Sequence, residues 1–541
     1  MSKGWSKLFR VWKRKKSKAP GKDRSHDSFQ EQGQPVSPDL TVNLTCLQGV
    51  LGHSNDLVIR QFTIGSAQPV AAAVVFIDGL VNSLMVNESI MKPLLLEMRK
   101  VEDNGCKQDF LTEIKDTVLS VGQLYEVSNL PDILDGVLTG DTALILDGYS
   151  TALLLGTRAW ESRGVQEPNT EAVIRGPREG FTETLRVNTS LLRRKIKTPN
   201  LHFEQLKLGK QTKTEVCIAY IKGLANEKIV AEVRRRLQGI DVDSILESGY
   251  IEEFIEDAPF SPFATVGNSE KPDVTAAKML EGRVGILVDG TPFVLTVPYI
   301  FIESLQASED YYSRPFYATI VRWIRMWSLA CTALLPAVYI ALQTFHQEMI
   351  PTSLLISMAA AREGVPFPAF AEAFFMGLIF EVLREAGVRM PRSVGQAVSI
   401  VGALVLGEAA VQAGLVSTPM VIVVAVTGIT GFIVPPQTDA ITIFRLGATV
   451  LAAVLGFYGV LLCILALFIH LTALRSFGVP YLSPLAPSSI LDLKDVLVRA
   501  PRWSMLTRPR AIPGRNWVRQ APFQYPQPPS DEEKEIIHHE E

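Results

Sequence analysis

The chain has 541 residues, a formal net charge of −3 and a hydrophobic content of 47%, a length that accommodates three or four domains. Near-neutral charge excludes the polyelectrolyte character of a nucleic-acid binder, and a charged content of only 20% falls short of the about 25% of ordinary soluble chains. The five cysteines, Cys46, Cys106, Cys217, Cys331 and Cys463, are odd in number, scattered and without metal-ligand spacing, which argues against a disulfide framework and places the soluble part in a reducing compartment.

Residues 1–40 form a basic extension and linker. Lys3 to Arg24 is rich in Lys and Arg but is followed by no uninterrupted apolar run, so it is not a secretory signal. Trp5, Leu8, Phe9 and Trp12 recur at helical spacing among the cations, which suits either a short helix on an anionic membrane surface or a disordered basic tail.

Residues 41–305 read as a soluble α/β region containing an internal repeat. Val74-Val75-Phe76-Ile77-Asp78-Gly79-Leu80-Val81-Asn82 is echoed by Ile218-Ala219-Tyr220-Ile221-Lys222-Gly223-Leu224-Ala225-Asn226. Each is an apolar strand leading into a helical pattern, Glu88 to Met98 and Glu227 to Leu237. The strands ending at Asp147-Gly148 and Asp289-Gly290 correspond in turn, each followed by a second apolar run. An Asp-Gly pair between apolar runs signals a type I′ hairpin, with positive φ at both central residues. The offsets, 144 residues between Gly79 and Gly223 and 142 between Asp147 and Asp289, nearly agree, so two related subdomains are expected at 41–165 and 200–305. A helix is expected over Asp243–Asp257. In the connector, 166–199, the triplet Arg193-Arg194-Lys195 faces either solvent or lipid headgroups.

No catalytic residue, metal ligand or cofactor motif emerges. Asp147 and Asp289 are turn residues rather than acids, and Gly176-Pro177-Arg178-Glu179-Gly180 lacks the spacing of a phosphate loop.

From 316 to 474 the composition changes to that of an α-helical polytopic membrane domain. Apolar segments at 318–342, 367–383, 393–413, 416–434 and 446–470 approach or exceed the roughly 20 residues a spanning helix needs, and 352–361 is too short to cross alone. Trp323 and Trp327 with Arg322 and Arg325 mark an interface. Arg384, Arg389 and Arg392, with the basic C-terminal tail 475–541, place both ends in the cytoplasm, which requires an even number of crossings. Five long segments are odd, so either one is re-entrant or 352–361 joins the tally. Pro366 and Pro368 break the helix beside it, as happens where helices line cavities or are buried in protein.

Ionisable residues at membrane depth are functional hypotheses by default. Glu372 and Glu408 lie deep in their segments and face either a polar cavity or a partner, whereas Arg362, Glu363, Asp439 and Arg445 suit the interfaces. Along 393–413, Gln396, Ser399, Ala403, Gly407 and Ala410 fall on one stripe at about 100° per residue. A small, partly polar stripe serves close helix packing or, in an oligomer, lines a pore.

Several motifs in order carry a family resemblance: Phe345-His346-Gln347-Glu348-Met349-Ile350-Pro351, Leu383-Arg384-Glu385-Ala386-Gly387-Val388-Arg389-Met390-Pro391, Gly395-Gln396-Ala397-Val398-Ser399, Leu474-Arg475-Ser476-Phe477-Gly478-Val479-Pro480-Tyr481, and in the soluble half Arg175-Gly176-Pro177-Arg178-Glu179-Gly180-Phe181 and Asn188-Thr189-Ser190-Leu191-Leu192. Over residues 41–490 the chain closely resembles the A subunit of GerA-type spore germinant receptors. The resemblance implies a multi-pass protein of the spore inner membrane acting with a transporter-like B subunit and a lipoprotein C subunit. It implies a homo-oligomer, a pentamer, forming a nutrient-gated channel that releases monovalent cations. A non-conducting scaffold that clusters receptors is the alternative, and a paralogous branch associated with the dipicolinic-acid channel shares the architecture.

Overall fold

The apolar runs around Val74 and Ile218 are strands inside two sheets of the same design. The structure, a computed structural model, describes residues 34–52, 54–65, 69–97, 110–159, 173–389, 407–488 and 492–512, with scattered positions beyond; the basic N-terminal extension lies outside them. It divides into a unit ending at Trp160 and a unit beginning at Glu161.

The first unit holds α1 (Leu40–Leu51), β1 (Leu57–Ile64), β2 (Val70–Ile77), β3 (Leu124–Val127), α2 (Leu130–Thr139), β4 (Thr142–Leu146) and β5 (Ala152–Leu155). Its sheet has the order β1-β2-β4-β5-β3, with every neighbouring pair antiparallel. Leu144 and Leu146 of β4 pack with Val86, Ile90 and Leu94, whereas Ala143 and Ile145 pack with Leu44 and Leu47 of α1 and Ile133 and Val137 of α2. Successive strand side chains point to opposite faces. A strand covered on both faces is therefore apolar throughout, which is why these strands read as unbroken runs.

The second unit opens with α3 (Leu185–Lys195), then β6 (Leu201–Leu208), β7 (Thr214–Ile221), α4 (Glu227–Gln238), α5 (Ser248–Ile255), β8 (Gly267–Ser269), α6 (Pro272–Leu280), β9 (Val284–Val288) and β10 (Val294–Val297). The sheet order β6-β7-β9-β10-β8 repeats that of the first, strand for strand. The correspondence reaches single hydrogen bonds. Asp147 Oδ1 accepts from the backbone N–H of Leu40 at 3.0 Å, and Asp289 Oδ1 from that of Leu185 at 2.9 Å. Asn43 and Asn188 each hold the chain before their own helix, accepting from Ser37 N at 2.9 Å and from Thr182 N at 2.8 Å. Each Asp carboxylate thus satisfies an otherwise orphaned helix N–H.

Several sequence expectations need correction. The Asp-Gly turns are not type I′: only Gly148 and Gly290 have positive φ, at 88° and 92°, and five residues separate β4 from β5, leaving the Asp free to reach a helix. The helix expected over 243–257 runs only Ser248–Ile255, starting where the Glu247 side chain accepts from Gly249 N. The stretch expected as one helix from Glu88 contains wide turns at Val86–Met91 and Pro93–Glu97. The basic triplet is not solvated throughout: Arg193 is 1% exposed, with its guanidinium 5.1 Å from the Phe203 ring centroid, and Arg194 and Lys195 both pair with Glu179.

The helical part comprises α7 (Pro315–Thr344), α8 (Thr352–Arg362), α9 (Ala369–Arg389), α10 (Thr418–Gly431), α11 (Thr438–Leu455) and α12 (Phe457–Ala473). Here the expected single segment 446–470 is two helices, divided at Gly456 (φ 60°). Val434, just before α11, shares a core with Met326 and Leu329 of α7 and with the second sheet. Gly456 lies beside Phe345 and His346 at the far end of α7, and His470 near the end of α12 returns to Ser261 at 2.9 Å. One expected helix is thus two, running in opposite directions along the bundle. The tail then completes the sheet's core with Phe477, Val479 and Val496.

Candidate functional site

Helix α7 has 30 residues and at 1.5 Å per residue is about 45 Å long, against a hydrocarbon thickness of about 30 Å. It and Pro435–Leu455 are the two helices, among the described residues, long and apolar enough to cross a membrane. Near the start of α7 a cluster of buried charges binds three separate stretches of chain. Asp310 Oδ2 accepts from Arg322 Nε at 3.0 Å and Arg325 Nη1 at 2.8 Å. Asp495, from the tail, lies 2.9 Å from Arg322 Nη1, and Tyr311 donates to its other oxygen at 2.9 Å. Burial pushes the Asp495 carboxyl above its ordinary value, with the Arg322 charge opposing.

A second polar cluster lies inside the bundle. Glu372, on the first turn of α9, is 1% exposed. Its Oε2 accepts from the backbone N–H and hydroxyl of Ser417, which precedes α10, at 2.9 and 2.7 Å. Its Oε1 faces Arg362 Nη2, at the end of α8, at 3.2 Å, and Arg362 Nη1 donates to Gln343 Oε1 of α7 at 3.2 Å. Tyr339, one turn before Gln343, is buried in the surrounding core with Ala373, Val416 and Met420. Among the described residues, Gln343 Nε2 and Arg362 Nε have no hydrogen-bond partner. Four separate elements thus hold a charge pair where isolated charge would be expensive. Further along, Glu381 of α9 bridges Arg384 at 2.7 Å and Arg445 of α11 at 2.6 Å.

Of the residues singled out in the sequence, Glu372 is in the buried cluster, whereas Glu408 is exposed and bonds Gln412 one turn on at 3.2 Å. Arg362 and Arg445, expected at interfaces, reach carboxylates on neighbouring helices. Pro366 and Pro368 lie between α8 and α9, and the Pro368 carbonyl accepts from Glu372 N at 3.1 Å, setting the turn that aims this side chain. Gly407 is buried, and a Cβ there would lie 3.4 Å from Val421 Cγ1. Ala410 is half-buried against the same core. Gln396, Ser399 and Ala403 lie outside the described residues. Sequence reasoning missed Tyr339, Gln343 and Ser417. The available signal was Tyr339 and Gln343, one turn apart on the same face near the end of an apolar helix.

The profile of the Bacillus/Clostridium GerA spore germination protein family matches residues 45–511. Spore germination protein KA of Bacillus subtilis (strain 168) is 46% identical over 504 residues, 92% of each chain. The membrane protein YfkQ of the same organism is 43% identical over 507 residues, 93% of this chain and 97% of that one. The crystallised N-terminal domain of the A subunit of the Bacillus megaterium spore germinant receptor GerK3 is 39% identical, covering 50% of this chain and 98% of that one, with a TM-score of 0.40.

Proposed function

The chain belongs to the GerA family of spore germination proteins, and from that premise we propose that it is the A subunit of a nutrient germinant receptor, oligomerising as a pentamer into a nutrient-gated channel for monovalent cations. In this reading it is a multi-pass protein of the spore inner membrane, with its α/β units and tail cytoplasmic, working with a transporter-like B subunit and a lipoprotein C subunit. The bundle's outward side chains support immersion in lipid: Ile422, Ile429, Val454, Leu461 and Phe468 are each more than half exposed, an arrangement that water penalises.

The observation that carries the reading is the Arg362–Glu372 pair beside the Pro366–Pro368 break. A broken helix with paired charge at membrane depth suits a structure that changes state. With Arg362 in place the Glu372 carboxylate is neutralised; separation of α8 from α9 would free it to attract a cation. The pore proposal for Gln396, Ser399, Ala403, Gly407 and Ala410 is tested by cation flux through liposomes holding the full chain with its partner subunits and nutrient. Ser399→Trp or Ala403→Trp is expected to abolish flux while crosslinked oligomers persist. Normal flux in both variants removes this stripe from the pore.

The close approach of Gly407 to Val421 favours a second reading, in which at least this end of the stripe is a packing surface and the protein is a non-conducting scaffold that clusters receptors. A closed oligomer that stays silent with partners and nutrient present supports the scaffold.

A further inference from the structure

We propose that the tail segment 495–503 is an interfacial anchor, forming with the first turns of α7 one surface that docks on the headgroups of an anionic lipid leaflet. The proposal rests on the reading that α7 crosses a membrane. Helix α7 exceeds the hydrocarbon thickness by about ten residues. The surplus belongs at its start, where Arg322 and Arg325 are tied to Asp310. At that level α7 turns Phe316, Ile320, Trp323 and Trp327 outward, at helical spacing and all more than half exposed.

The tail continues this surface. Trp323 Nε1 donates to the Leu497 carbonyl at 2.7 Å, Arg499 N donates to Thr319 Oγ1 at 3.1 Å, and Arg499 Nη2 donates to the Tyr311 carbonyl at 3.2 Å. The segment therefore runs beside α7 from Trp323 toward the helix start. Its sidedness is inverted for a chain in water: Arg499 is 3% exposed, whereas Leu497, Val498 and Trp503 are 41%, 50% and 39% exposed. A charge turned inward and apolar groups turned outward, beside a row of aromatics, is the pattern of a bilayer interface, where Trp rings sit at headgroup level. Exposed Arg314 and Arg502 supply cations that match anionic headgroups.

The test places photoreactive benzoylphenylalanine at Val498 of the full chain, in vesicles of phosphatidylcholine with and without phosphatidylglycerol. A control probe at Val454 of α11, 66% exposed, reports the hydrocarbon. The expected result is lipid labelling at both positions, several-fold stronger at Val498 when phosphatidylglycerol is present. Arg314→Gln with Arg502→Gln should remove that preference and leave labelling at Val454 unchanged. Labelling at Val454 with only protein adducts, or none, at Val498 overturns the anchor while the membrane reading stands. Lipid labelling at Val498 that ignores phosphatidylglycerol overturns the anionic match. Absence of lipid labelling at both positions overturns the membrane reading and the anchor together.

Discussion

Separating Arg362 from Glu372 should be costly, and removing both should not. In Glu372→Ala the guanidinium loses its carboxylate, and the Ser417 N–H and hydroxyl lose their acceptor. Truncating one partner of a buried pair costs about 3–5 kcal/mol. The Arg362 side chain is 22% accessible and, at the end of its helix, can snorkel away from the core, so the lower end of that range applies, about 3 kcal/mol. In Arg362→Ala the stranded group is a carboxylate with no accessible side-chain surface, and the upper end applies, about 5 kcal/mol. The double variant Arg362→Met with Glu372→Met fills the same space with apolar atoms, and such replacements of whole pairs are often neutral or stabilising. Denaturant titration of the full chain in mixed micelles, followed by tryptophan fluorescence, gives the stabilities. Set against Arg362→Met and Glu372→Met alone, which close the cycle, the double variant should give a coupling of about 2 kcal/mol or more, as groups in direct contact do. If each single change costs under about 1 kcal/mol and the effects add, the pair is not holding the bundle and the reasoning fails.

Asp147→Ala and Asp289→Ala each remove a carboxylate that caps a helix from a distant loop, at about 1–2 kcal/mol each; hydrogen exchange should quicken in Leu40–Leu51 for the first and Leu185–Lys195 for the second, and a change confined to the strand loops would contradict the pinning. Gly456→Ala puts a Cβ 2.9 Å from His346 Cε1 and 3.0 Å from Phe345 Cβ, in a left-handed backbone, so the thermal midpoint should fall by the equivalent of about 2–4 kcal/mol; an unchanged midpoint refutes the turn there. Burial, followed by the charges of Glu256, Glu247 and Glu253, pushes the Glu252 carboxyl up to about 7 from the usual 4.5. The fold thus favours the neutral form, and that contribution is complete below about pH 4.5 and lost as pH rises through 7. Glu252→Gln should therefore match the parent at pH 4.5 and unfold at a higher temperature at pH 8; equal midpoints at both pH values would show the carboxyl is not buried as described.

What could be read from the chain depended on whether the cause was local. The central strands were legible because Ala143, Leu144, Ile145 and Leu146 are buried on alternating faces, and two-sided burial leaves an apolar run. The repeat was legible because its glycines and Asp-Gly turns keep nearly constant offsets. The purpose of those aspartates was not: Leu40 and Asp147 are 107 residues apart, and nothing local announces a carboxylate that closes on a helix. The break at Gly456 was hidden because apolar residues flank it on both sides, so a hydropathy window sees no interruption. Charge was the least legible quantity. Arg193 belongs to a run that reads as solvated yet stacks inside the fold, and Arg362 finds Glu372 only because the Pro366–Pro368 break folds α8 back toward α9.

Tyr299 N donates to Ser476 Oγ at 2.9 Å, and Phe301 N donates to the Tyr481 carbonyl at 2.9 Å. The bundle is therefore an insertion: the chain leaves the second sheet at β10, makes its whole helical excursion, and resumes within a few ångströms of where it left. A soluble version faithful to the native core would be a splice across that gap, joining the neighbourhood of Tyr299 to that of Ser476. A piece simply ended after the sheets keeps the strands but sheds Phe477, Val479 and Val496 from their cover.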